Sequence, residues 1–142
     1  MRLPALIASS AMLIATASVA HDDVQNHMVR ARMAHMEMIA QHTKTLGTMA
    51  KGATAFDPRT ANDALATIAA SAKDIPDYFE DPATDPKSEA RPDIWENWDR
   101  FSAMSLALAR ASDTKIAVAD DLRPALAQIG AACRACHESY RD

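Results

Sequence analysis

The sequence predicts an all-α chain folded as an antiparallel four-helix bundle. Apolar residues recur at helical spacing in four long segments, and no segment shows the alternation of a half-buried strand. Glycine is scarce, three in 142 residues, which disfavours glycine-rich phosphate loops and turn-rich all-β folds. That length suits one domain. A net charge of -4 argues against a nucleic-acid partner bound over a basic surface. The two cysteines are too few for a disulfide framework.

Residues 1–20 precede the bundle and read as a cleaved secretory signal peptide. Arg2 is followed by an apolar run from Leu3 to Ala17, and Ser18-Val19-Ala20 supplies the small residues of a cleavage site after Ala20. The run is short, rich in Ala and Ser and lacks a charged stop, which disfavours an uncleaved anchor. No other stretch is long and apolar enough to span a membrane. The expected domain is 21–142, with 14 basic and 19 acidic residues, exported to a compartment where disulfides can form.

The first helix is expected to start at Asp22 or Asp23 as cap and to run to about Lys51, with Gly52 as the stop. Two overlapping apolar stripes, Val24/Met28/Ala31/Met38/Leu46/Met49 and Val29/Met33/Met36/Ile39/Leu46, imply neighbours on more than one side. Asp57-Pro58 opens the second helix, whose buried face is Leu65, Ile68 and Ala72 and which is expected to end before Pro76. Residues 75–92, with four prolines, form a long connection. The third helix opens at Pro92 and buries Ile94, Trp98, Phe101 and Leu108. After a polar break over 112–121, the fourth starts near Asp121, with Pro124 tolerated in its first turn. Leu122, Leu126, Ile129, Cys133 and Tyr140 make its face.

That last helix carries Cys133-Arg134-Ala135-Cys136-His137, the C-x-x-C-H pattern of c-type haem attachment. Cys133 and Cys136 stand i,i+3, so both sulfurs lie on one side and can form thioethers to the two haem vinyl groups. His137, i+4 from Cys133, shares that side and can ligate the iron. A thioredoxin-type centre would need a βαβ context, and a zinc site would need a second ligand pair. A chance disulfide fits the export signal and the adjoining His less well than haem does.

The motif's place at the extreme C-terminus of an all-α chain resembles the class II c-type cytochromes, cytochrome c prime and its low-spin relatives. Arg32-Met33-Ala34-His35-Met36, Lys51-Gly52, Ala90-Arg91-Pro92-Asp93-Ile94-Trp95, Gly130-Ala131-Ala132 and Tyr140-Arg141 are similar to that family's segments. The resemblance implies one covalent haem c between helices, periplasmic location and a possible homodimer through the first two helices. It also implies thioether sites at Cys133 and Cys136, His137 as proximal ligand, Arg141 near the proximal face and Met36 at the distal position.

Function divides at Met36. As a ligand it gives a His/Met haem suited to electron transfer between redox partner proteins. As mere packing it leaves five-coordinate iron open to NO or CO, and Met is a common filler of cores. His35 points about 100° from Met36 on the helix and reads as a surface or interface residue. Met28, His35, His42 and Met49 recur every seven residues and read as a packing or dimer stripe rather than a metal site. Arg32 either pairs with a haem propionate or is solvated. Trp95 and Trp98 read as packing residues, and Glu80-Asp81 and Asp120-Asp121 as solvated caps and loops. No acid/base pair or activated nucleophile suggests an enzyme. The sequence thus reads as an exported electron carrier, with gas binding as the alternative.

Overall fold

A computed structural model describes residues 23–142; the expected signal peptide lies outside them. The described chain forms helices α1 (His27–Ala50), α2 (Pro58–Phe79), α3 (Asp93–Glu96), α4 (Trp98–Ser112) and α5 (Leu122–Tyr140), with a 3-10 turn at Ala119–Asp121 before α5. The long helices pack in a ring, α1 on α2, α2 on α4, α4 on α5 and α5 on α1. Contacts between their ends make successive members antiparallel. Arg32, early in α1, reaches the carbonyl of Tyr78 at the end of α2. Asn62, early in α2, holds Ile116 just beyond α4, and Arg91, just before α3, bonds Tyr140 at the end of α5. This is a four-helix bundle, as the periodicity predicts.

The start of α1 departs from expectation. Asn26, not Asp22 or Asp23, is the cap, and its side chain accepts from the N–H groups of Met28 and Val29 at 2.9 and 3.3 Å. The residues before it are held by groups outside the helix. The Asp85 carboxylate accepts from the N–H groups of Gln25 and Asn26, and Val24 is buried. At the other end Gly52 stops the helix with φ 71°, a conformation that favours glycine.

Asp57 caps α2 as expected, accepting from Thr60 N–H at 2.9 Å with Pro58 at the first helical position. The helix does not end before Pro76; Pro76 lies inside it. An interior proline costs about 3 kcal/mol. The extra turn offsets this by burying Phe79 one turn beyond the buried Ile75, worth about 2–3 kcal/mol. The terminal carbonyls also find partners: Arg32 Nε donates to Tyr78 and Trp95 Nε1 to Phe79, at 2.9 and 2.7 Å.

The single helix expected from Pro92 is two. Asn97 breaks it with φ -125° and ψ 45°, and both its backbone N–H and its side-chain amide donate to the Asp93 carbonyl. The break after Ser112 is observed, but it is not wholly polar. Ile116 is buried, and the Asn62 amide satisfies both its N–H and its carbonyl. Asp121 accepts from Ala117 and Val118 N–H groups, and Pro124 sits in the first turn of α5. Leu46, Leu65, Ile68 and Ile129 fill the centre of the bundle.

Candidate functional site

Cys133, Cys136 and His137 all lie in the last two turns of α5. A cleft of about 360 Å³ opens beside them, at the end of the bundle where α1 begins and α2 ends. Cys136 and His137 line it directly; Cys133 is half-buried against the core beside it. From α1, Met33 and Met36 line the same cleft, and Ile75, Phe79, Ile94 and Phe101 make its apolar walls. The connection between α2 and α3 closes the mouth with residues 87–90. Met36 and His137, far apart in sequence, therefore face one cavity.

The electrostatics suit tethering and ligation rather than thiol redox chemistry. Burial pushes the Cys133 thiol above its ordinary value, and burial with Cys133 nearby pushes Cys136 up to about 11. A reactive thioredoxin-type cysteine needs the opposite shift. The cysteines form no disulfide. Burial, reinforced by the Arg141 charge and opposed by Glu89, lowers the His137 pKa, which favours the neutral imidazole needed of a ligand. The His137 imidazole, the Met36 thioether and the Cys136 thiol line one apolar cleft, and Cys133 stands one turn back on the same helix, an arrangement that fits a covalently held haem.

The other anticipated residues fare differently. Arg141 is brought to the site: it lines the cleft and its backbone N–H bonds the His137 carbonyl at 3.0 Å. Its guanidinium pairs with Glu89 through both Nε and Nη2. Arg32 is not solvated, being 2% exposed. It donates to the carbonyls of Tyr78, Asp81 and Ala83, and it lies over the rings of Phe79 and Trp95 at 5.1 and 5.2 Å. Burial lowers its pKa, against the pull of Asp81. Three of its five N–H donors thus hold the chain where α2 ends.

His35 is not a surface residue. It is buried between α1 and α2, stacks on Tyr78 at 4.0 Å and places Nε2 2.9 Å from the Ser71 carbonyl. The seven-residue stripe divides accordingly: His35 and Met49 are buried, while Met28 and His42 are half-exposed. Among the described residues, no three His, Cys, Asp or Glu side chains form a group that could hold a metal ion.

Sequence reasoning missed Asp85, the Trp95 indole bond and Glu89. Asp85 lies in a proline-rich stretch that carries no periodic signal, though an Asp two residues before another backbone N–H is a familiar turn former. Its carboxylate accepts from Lys87, Gln25 and Asn26, tying the connection to α1, and those bonds hold its pKa below the usual range.

The family model described as Cytochrome C' matches residues 27–141. Cytochrome c-556 of Agrobacterium tumefaciens (strain apple 185) is 37% identical over 115 residues, covering 78% of this chain and 91% of that protein. Two solved structures superpose with TM-scores of 0.75, each covering 83% of this chain and 98% of the other. They are the NMR-validated structural model for oxidized R. palustris cytochrome c556, at 32% identity, and cytochrome c' from Rhodopseudomonas palustris, at 28%.

Proposed function

The chain belongs to the cytochrome c' family, a family of covalent haem c proteins, and on that premise we propose that it is a periplasmic electron carrier whose haem is ligated by His137 and Met36. The observation that carries the reading is that Met36 of α1 and His137 of α5 line one cleft. When bound, the haem supplies one-electron exchange at iron. The chain's residues do the rest. Cys133 and Cys136 tether at two points on one side of α5, and His137 offers a neutral nitrogen. Met36 offers a thioether from the facing helix, which raises the reduction potential and closes the position to small ligands. The apolar walls made by Ile75, Phe79 and Ile94 exclude water.

Periplasmic location rests on the signal-like residues 1–20 and on the family. No helix among the described residues is long and apolar enough to cross a membrane. The partners in this reading are redox proteins, and a homodimer through α1 and α2 is compatible with it. The alternative is five-coordinate iron that binds NO or CO, supported by the likeness to cytochrome c'.

Absorption spectra of the holoprotein separate the two. The parent should be low-spin and unchanged by CO when reduced. Met36→Ala should be high-spin and should bind CO. A variant spectrum identical to the parent's would remove Met36 from the ligand set.

A further inference from the structure

Haem c carries a pair of propionate carboxylates, and an anion set against an apolar cleft needs a cationic partner. Besides His137, three basic residues line the cleft: Arg32, Lys87 and Arg141. Arg32 is committed to the carbonyls of Tyr78, Asp81 and Ala83. Arg141 is committed to Glu89 through two nitrogens. The Lys87 ammonium makes no hydrogen bond or ion pair with any described residue. Two acids stand two residues away: Asp85 feels its charge, but both carboxylate oxygens of Asp85 are occupied by main-chain N–H groups, and Glu89 is paired with Arg141.

The backbone carrying Lys87 is fixed from both sides. Lys87 N–H donates to the Asp85 carboxylate and Ser88 N–H to the Asp85 carbonyl, each at 2.9 Å. Beyond it, Asp142 N–H bonds the Glu89 carbonyl and Arg91 N–H bonds that of Tyr140, each at 3.0 Å, around a single bridge between Ala90 and Arg141. Residues 85–91 form a strap tied at one end to α1 and at the other to α5. It holds an uncommitted ammonium at the mouth of the cleft.

We propose that Lys87, carried on this strap, is the cationic partner of a haem propionate, and that Arg32 is not. The assignment needs only the covalent haem, not ligation by Met36. The charged groups facing that position are Arg32 and Glu37 from α1, Lys87 and Glu89 from the strap, and His137 and Arg141 from the end of α5.

The test is the pH dependence of the haem midpoint potential in holoprotein carrying Lys87→Gln. Loss of a nearby positive charge disfavours the reduced haem and the ionised propionate. The midpoint should fall, and the propionate-linked step should move up by about one pH unit. Lys87→Arg should restore both. Lys115→Gln, an exposed lysine at the opposite end of the bundle, should leave both unchanged. Lys87 is exposed, so its substitution leaves the fold intact. An unmoved step in Lys87→Gln, or an equal movement in Lys115→Gln, would overturn the assignment. If the parent proves high-spin, Met36 ligation fails, yet the propionate step still decides the role of Lys87.

Discussion

The two ends of the bundle are held together by different means. At the end away from the cleft, the chain turns through Gly52 and caps α2 with Asp57, and Asp121 receives the N–H groups leading into α5. These devices act within a few residues. One long-range clamp, Asn62 on Ile116, completes that end over a buried isoleucine. At the cleft end the fastenings are mostly long-range. Arg32 reaches 46 to 51 residues to three carbonyls, and Asp85 reaches 59 and 60 residues to Asn26 and Gln25. The strap bonds to the C-terminus as well. The contrast has a physical source. A bundle end packed with aliphatic side chains is stabilised by burial and is fastened mainly by local caps. An end hollowed for a cofactor forgoes that burial, so polar side chains must fix the backbone around the hollow.

The sharpest way to break this comparison is to withhold the haem. Cys133→Ala with Cys136→Ala should yield an exported product lacking the mass of one haem. Hydrogen exchange should rise most at the start of α1 and the end of α5, while the amides of α2 near Leu65 stay protected. Because the haem stays attached when the chain unfolds but makes its apolar contacts only in the folded cleft, losing it removes a large buried apolar surface, and this is the largest expected effect. Equal loss of protection at both ends would contradict the division.

Next in size is the pair of clamps. Arg32→Ala strips partners from three carbonyls and should cost about 3 kcal/mol. Lysine should not rescue it, since a point charge cannot reproduce the fork. Asn62→Ala should cost about 1–2 kcal/mol. Denaturant unfolding of holoproteins measures both, and a larger loss at Asn62 would reverse the ranking of the ends.

The smallest effect is that of acid on Asp85. Its carboxyl is held below the ordinary range, chiefly by the Asn26 and Lys87 N–H groups. A depressed carboxylate contributes stability that is present above the unfolded value of about 3.9 and is lost as pH falls through the folded value. Asp85→Asn should therefore be less stable than the parent at neutral pH, and the gap should close in acid. A gap independent of pH would sink the account.

Legibility in the sequence followed the range of the interaction. The bundle, the Asp57-Pro58 start, the Gly52 stop and the C-x-x-C-H motif were readable because each is written in residues a few positions apart. Pro76 misled because its local penalty is outweighed by burial of Phe79 and by donors arriving from α1 and α3. Asn97 was missed because its amide competes for a helix carbonyl within a segment whose apolar spacing continues across it.

By itself the sequence determined that four amphipathic helices would bury one core, and that the last would present two thiols and an imidazole on one side. Helical geometry converts spacing directly into direction. Only the tertiary structure decided that Met36 shares a cleft with His137, that Arg32 is bound to carbonyls, that His35 is buried against Tyr78, and that the Lys87 ammonium sits at the rim without a hydrogen bond or ion pair among the described residues. Those facts depend on how helices rotate against one another and on where an aperiodic strap crosses, and packing sets both.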